Sequence, residues 1–421
     1  MLLTHLLEKM IQIGTLRVTD AFGRQHVYAG APGPEVTIRL HDRALHTKLF
    51  FNPCLHLGEA YTDGALTIEK GTLSEFLEIV ARNLELAKEI PLYSAYEQFS
   101  CMFRSWQQYN PISRARSHVA SHYDLSNRFY SLFLDQDLQY SCAYYNNPGD
   151  SLETAQANKQ HHLAAKLLLE PGQRMLDIGS GWGGLALYLA KIGGGQVTGL
   201  TLSNEQLKIA NRRVAEAGLS EDVHFHLRDY REESGEYDRI ISVGMFEHVG
   251  VNYYREFFTK VKDLLAEDGV CVLHSIGRMG GPSSTCAWIR KYIFPGGYSP
   301  ALSEVLQAVE GSGLWVDDIE VLRLHYAKTL NAWQRRFHAN RDKVAELFDE
   351  RFCRMWEFYL ALSESAFLYG DHFVFQMQLS RQRSTVPLTR DYQTEWKHKN
   401  MVGENPGILP QNAFGQGLGN I

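Results

Sequence analysis

Glu247 and His248 stand side by side in "SVGMFEHVG" (242–250), directly after the apolar run "YDRIISV" (237–243). That run reads as a strand buried on both faces and closed by Gly244, which leaves a carboxylate and an imidazole at its mouth. Burying such groups is costly unless they meet a ligand or each other. A second constellation precedes this one. "LDIGSGWGGLALYLA" (176–190) is a strand, a tight glycine turn and a helix start. Gly179, Gly181 and Gly183 let the backbone approach a ligand, and the helix N-terminus offers free N–H groups to an anion.

A glycine turn of this kind also fits nicotinamide or flavin cofactors, and two details separate the choices. Asp177 sits inside the strand end, where it accepts bonds from an amino group or orders the loop. The next strand ends in "GLTLSNEQ" without the Asp or Glu that a dinucleotide ribose recruits there, Gln206 being the nearest polar residue. The combination favours S-adenosylmethionine over NAD, with the amino-acid carboxylate in place of the pyrophosphate. "LRDY" (227–230) follows the third strand, so Asp229 is either a partner for the adenine amino group or an exposed loop residue. No metal site is expected. The six cysteines (54, 101, 142, 271, 286 and 353) are scattered without a CxxC pair, the pattern of a reduced, cytosolic protein.

The elements that must position these residues follow from pattern. Residues 1–95 mix short strands such as "EVTIRL" and "ALHTKLFF" with helical stretches, and form a small N-terminal α+β domain. In "GTLSEFLEIVARNL", Thr72 and Glu75 have capping-box spacing ahead of apolar residues at helical intervals. Residues 96–157 form a linker and helical cover over the site. Arg104, Arg114 and Arg116 precede Tyr123, Phe129 and Tyr130, either as a solvated basic face or as a lipid-facing surface. From 158 to 385 helices alternate with the strands "RMLDIG", "QVTGL", "DVHFHL", "YDRIISV", "GVCVLHSIG", "VDDIEVLR" and "FVFQMQLSR". That alternation predicts an α/β domain, a parallel sheet with helices on both faces. The Gly-, Asn- and Pro-rich end of 386–421 reads as a flexible tail.

Composition sets further bounds. An apolar content of 44% and a charged content of 21% fit a globular protein, and a net charge of -6 argues against a general nucleic-acid binder. No apolar run reaches the roughly 20 residues of a spanning helix. The start "MLLTHLLEKMIQIG" lacks a cationic region and a cleavage site, so no signal peptide is expected.

Six stretches in this order resemble the cyclopropane-fatty-acyl-phospholipid synthase family, which includes the mycolic acid cyclopropane synthases: "HYDLSNRFYSLFLD", "LQYSCAYY", "LDIGSGWGGLA", "GLTLSNEQ", "SVGMFEHVG" and "KYIFPGGYSP". "LHSIG" and "YAKTLNAW" add to the likeness, which runs from "GEAYTDG" to about residue 380. The resemblance implies a class I methyltransferase, Rossmann-like seven-stranded sheet carrying the small N-terminal domain. It implies transfer of a methyl(ene) group from S-adenosylmethionine to the cis double bond of an unsaturated phospholipid acyl chain, with a bicarbonate ion in the active site. Carried onto this chain, the anion's holders are Cys142, Glu247, His274, Ile276 and Tyr326. The cofactor contacts are Tyr140, Ser141, Asp177, Gly179, Gly181, Thr201, Gln206, Asp229 and Tyr230. It further implies a cytoplasmic enzyme, peripherally associated with the inner face of the membrane, and a possible homodimer.

An olefin has no proton to lose before it attacks the sulfonium, so a base is needed afterwards, when the charge has moved onto the chain. His274, Tyr326 and the backbone N–H groups of Cys142 and Ile276 can donate to an anion, and Glu247 can accept its hydroxyl. Tyr144, Phe246, Tyr292 and Phe294 either shield the cation or simply pack the core. His248 points away from Glu247 if the segment is extended, which makes it a structural hydrogen-bonder. Arg290 and Lys291 in "AWIRKYIFPGG" (287–297) mark a route for the acyl chain. Three other outcomes compete: a methyl-branched or methylene product, methylation of a small amine or phenol, and a lipid-binding protein without catalysis.

Overall fold

The structure is a computed structural model and describes residues 2–87, 108, 111 and 126–400. The expectations placed on Arg104, Arg114, Arg116 and Tyr123, and on 401–421, lie outside the described residues. Two compact units divide the chain, and neither is continuous in sequence.

The first unit gathers the described part of Met1–Trp106 with Pro282–Pro295 and Tyr326–His372. Strands β1 (Ile13–Thr19), β2 (Gln25–Ala29), β3 (Ala31–Leu40) and β4 (Leu66–Lys70) form one sheet in the order β2-β1-β3-β4. "EVTIRL" lies in β3, but "ALHTKLFF" is the helix Leu45–Phe51 and not a strand. Leu45 and Leu49 are buried there while Thr47, which a strand would put on the same face, is exposed, as helical spacing requires. The helix Leu73–Ala87 starts with the expected box: Thr72 N–H donates to Glu75 Oε2 (2.8 Å) and Glu75 N–H to Thr72 Oγ1 (3.2 Å). Asn83 on that helix accepts from the N–H groups of Gln12 and Ile13 and returns a bond to the Ile13 carbonyl, which locks the helix to the start of β1.

Cys54 and Cys286 form a disulfide in this unit, with Cα atoms 5.9 Å apart, contrary to the expectation of reduced cysteines. The sequence separation is 232 residues, and the two meet because the helix Pro53–Thr62 packs on the helix Ala287–Tyr292. Gly58 lies in that contact: a Cβ there would lie 2.5–2.6 Å from three ring atoms of the fully buried Trp288. Gly58→Ala should therefore destabilise the protein by about 1–3 kcal/mol through overpacking, despite alanine's better helix propensity. A thermal scan showing an unchanged or raised Tm would refute this.

The second unit gathers the described part of Gln107–Gly281 with Gly296–His325 and residues 373–400. Its sheet contains β5 (Arg174–Ile178), β6 (Gln196–Thr201), β7 (Val223–Leu227), β8 (Tyr237–Val243), β9 (Leu265–Arg278), β10 (Trp315–Val321) and β11 (His372–Ser380) in the order β10-β11-β9-β8-β5-β6-β7. The pairs from β7 to β9 are parallel, and β10 runs antiparallel to β11. Successive strand residues enter opposite cores. Leu176, Ile240 and Leu273 pack with the helices Tyr254–Leu264 and Leu302–Val309. Met175, Ile241 and Val272 pack with Leu152–Lys166, Gly184–Gly193 and Asn204–Ala217. Both faces are covered, as the unbroken apolar strands required.

The domain boundaries differ from those read from pattern. Residues 282–295 and 326–372 lie within the continuous 158–385 stretch of the sequence reading but belong to the first unit. The expected flexible tail begins as an ordered helix, Asp391–Lys399, whose Trp396 ring meets His161 at 5.0 Å while Tyr392 donates to Gln378 (2.8 Å). Aromatic anchors, which composition averages away, hold it. No helix among the described residues is long and apolar enough to cross a membrane.

Candidate active site

Because β5, β6 and β8 run parallel, their carboxyl ends share one edge of the sheet, where ligands of such folds bind. One cavity of the second unit opens there. All nine expected cofactor residues line it: Tyr140 and Ser141, then Asp177, Gly179 and Gly181, then Thr201 and Gln206, then Asp229 and Tyr230. The glycine turn is imposed by backbone geometry. Gly179 has φ +88°, and a Cβ on it would lie 2.8 Å from Met245 Cβ. Gly183 has φ +84° and would meet the Phe225 ring at 2.7 Å. Both conformations disfavour a side chain.

Asp177 is buried at the end of β5, and its Oδ2 has no hydrogen-bond partner among the described residues. Burial pushes its carboxyl up to about 7, against the pull of the Lys159 ammonium. Thr201 donates to Gln206 Oε1 (2.8 Å) and so leaves the NH2 end of that amide for a ligand. Asp229 is buried, so the exposed-loop alternative fails. Arg231 chelates its carboxylate, Nε to Oδ1 at 2.8 Å and Nη2 to Oδ2 at 2.7 Å.

Glu247 lies beyond the cavity wall. Gly244, at φ +69°, ends β8 and donates to the His274 carbonyl on β9 (2.9 Å), and a one-turn 3₁₀ helix, Phe246–His248, follows. Glu247 Oε1 accepts the Ile276 N–H at 2.7 Å. Its Oε2 is buried without a partner among the described residues, and burial raises the carboxyl to about 7 although the Ile276 N–H opposes it. His274 is two residues back on the same face of β9. Its Nδ1 faces the Gln376 amide nitrogen (3.2 Å), so Nε2 carries the proton, and burial holds the ring neutral. Cys142 is buried directly after the cavity residues Tyr140 and Ser141.

Three expectations change here. The Ile276 N–H, expected to serve an anion, is engaged by Glu247 itself, because the turn after β8 lies against β9. His248 does line the cofactor cavity, since a 3₁₀ turn does not alternate its side chains as an extended strand would. Tyr326 belongs to the first unit, at the start of the helix His325–Ala339, with its ring against Phe367 (4.8 Å) and Trp333 (5.8 Å). The four aromatic candidates pack. Tyr144 lies between His162 (4.1 Å) and His325 (4.8 Å), and Phe246 stacks on Tyr254 (4.4 Å). In the first unit Phe294 meets Tyr359 edge-on (5.8 Å), while Tyr292 and Lys291 both donate to Glu59 (2.9 and 2.7 Å).

Sequence reasoning missed the cavity's polar backing. Gln156, Lys159 and Gln160 on the helix Leu152–Lys166 are buried and grip the segment 137–141. A signal existed in "TAQANKQHH": these residues recur at the i, i+3, i+4 spacing usually kept for apolar side chains.

Residues 111–377 match the profile of the mycolic acid cyclopropane synthetase family. The cyclopropane-fatty-acyl-phospholipid synthase of Escherichia coli (strain K12) is 37% identical over 82% of this chain and 87% of its own length. The chain belongs to the mycolic acid cyclopropane synthetase family. Its second unit has the class I methyltransferase fold, and the protein is an S-adenosylmethionine-dependent methyltransferase of the cyclopropane-fatty-acyl-phospholipid synthase type. Another family relative, the tuberculostearic acid methyltransferase UfaA1 of Mycobacterium tuberculosis (strain ATCC 25618 / H37Rv), is 34% identical over 87% of this chain and 88% of its own. The crystal structure of mycolic acid cyclopropane synthase CmaA1 complexed with SAH and CTAB aligns with a TM-score of 0.60 and 32% identity, covering 65% of this chain and 99% of that one.

Proposed function

We propose that the protein transfers a methyl(ene) group from S-adenosylmethionine to the cis double bond of an unsaturated phospholipid acyl chain and closes a cyclopropane ring. The observation that carries this reading is Glu247: a buried carboxylate with one oxygen fixed by a backbone N–H and the other unpartnered, beside the carboxyl-end cavity of a methyltransferase sheet. An orphaned acceptor of this kind fits the hydroxyl of a bicarbonate ion, and the His274 Nε2–H fits an anionic oxygen. When bound, S-adenosylmethionine supplies an electrophilic methyl group and bicarbonate supplies a base. Asp177 and Gln206 orient the first, and Glu247, His274 and the Cys142 backbone hold the second in a water-poor pocket. The E. coli relative's name supports a fatty-acyl phospholipid as substrate. The name of the UfaA1 relative favours a second reading, a methyl-branched product on the same lipid class.

Mass spectrometry of mono-unsaturated phospholipid vesicles, incubated with the protein and methyl-labelled S-adenosylmethionine, tests both. Ring closure adds CH2 with loss of the olefinic signal. Labelled lipid that keeps its unsaturation indicates a methylene product. A labelled saturated methyl branch needs added reductant. Vesicles without label overturn the proposal.

A further inference from the structure

Lys159 sits wholly inside the second unit, behind the cavity wall, with no solvent exposure. Its Nζ donates to Gln139 Oε1 (2.6 Å) and to Ser141 Oγ (2.8 Å), and both residues line the cavity. An ammonium has three donors and no acceptor. Ser141 therefore receives a bond from Lys159 and cannot return one. Its hydroxyl proton must go elsewhere, and among the described residues it finds no acceptor, which leaves the cavity. The wall itself cannot swing. Gln156 Nε2 donates to the carbonyls of Gln139 (3.1 Å) and Ser141 (3.0 Å), and Gln160 Nε2 to Asp137 Oδ2 (2.7 Å). Arg213, also buried, donates to the Asp137 carbonyl and to the Trp182 carbonyl, which ties the same segment to the glycine turn.

We propose that Lys159 is a positioning residue: it directs the Ser141 hydroxyl proton into the cavity, so that Ser141 donates to the carboxylate of an α-amino-acid ligand. The opposite end of such a zwitterion meets Asp177, whose buried Oδ2 has no other partner among the described residues. A donor and an acceptor on separate elements, backed by one buried cation, match a group bearing both charges. The inference rests on reading the cavity as the S-adenosylmethionine site, where Ser141 and Asp177 are already expected contacts, and adds Lys159 as the residue that aims the Ser141 proton.

The test compares two probes by calorimetry on the full chain. S-adenosylhomocysteine carries the amino-acid group, and 5′-methylthioadenosine lacks it. Lys159→Met and Ser141→Ala should each weaken S-adenosylhomocysteine about 10- to 100-fold, the range for losing a hydrogen bond to a charged group. Both should leave 5′-methylthioadenosine within about threefold, a selectivity that mere loosening of the wall does not produce. The double variant should be no weaker than the worse single one, since the two act through one bond. Equal loss for both probes, additive losses, or no loss overturns the assignment. If Lys159→Met does not fold, Ser141→Ala decides by the same two-probe comparison. A parent protein that binds neither probe overturns the cavity reading itself, which is a different result from binding that the variants leave untouched.

Discussion

Glu247→Gln should lower turnover about 100- to 1000-fold while affinity for S-adenosylhomocysteine stays within about threefold of the parent. Gln keeps the shape and can still accept the Ile276 N–H through its carbonyl oxygen. It replaces the unpartnered acceptor Oε2 with an NH2 donor, the wrong partner for a hydroxyl that needs an acceptor. Glu247 does not line the cofactor cavity, so binding there should be spared. Burial raises this carboxyl from 4.5 to about 7. The ionised form is the acceptor, so the rate should rise with pH through about 7, and that limb should vanish in the variant. The stability contribution has the opposite sense. The folded state binds the extra proton between 4.5 and 7, so stability falls as pH rises across that window. Equal losses of turnover and affinity would show that Glu247 serves binding alone.

Asp177→Asn separates stability from binding at the other end of the site. The buried carboxylate has an oxygen that nothing in the described protein satisfies, and burial raises its pKa from 3.8 to about 7. Between those values the folded state holds more protons than the unfolded one, so the carboxylate's penalty grows as pH rises and is complete above about 7. Asn removes it, and Tm should rise at pH 8 with little change at pH 4. S-adenosylhomocysteine affinity should fall about 10- to 100-fold at pH 8, because an amide replaces a charged acceptor for an ammonium. A variant that is less stable at pH 8 and binds normally would make Asp177 a structural residue.

Local pattern sufficed where one element carries the information. The seven strands of the second unit, the glycine turn after β5 and the Thr72–Glu75 cap depend on residues within a few positions of one another. Asp177, Thr201 and the residues after β7 line one cavity because a parallel sheet brings the ends of its strands to one edge whatever their distance in the chain, whereas Tyr140 and Ser141 came from the resemblance alone. The stretch at 45–51 was not legible: Leu45 and Leu49 suit a helix, while the intervening residues give no period that excludes a strand. His248 failed for a related reason, since one residue of 3₁₀ turn reverses an inside–outside assignment.

The sequence by itself determined that a parallel α/β sheet carries a glycine turn at one strand end, because strand period and turn chemistry are local properties; the class I methyltransferase sheet was implied by the family resemblance. Only the tertiary structure decided which polar groups in and around the cavity are engaged and which are left for a ligand. The Ile276 N–H closes on Glu247, Arg231 takes Asp229, and Lys159 reaches Ser141 across 18 residues. Hydrogen bonds of this kind depend on where separate elements meet, and that meeting is fixed by packing of the apolar faces around them.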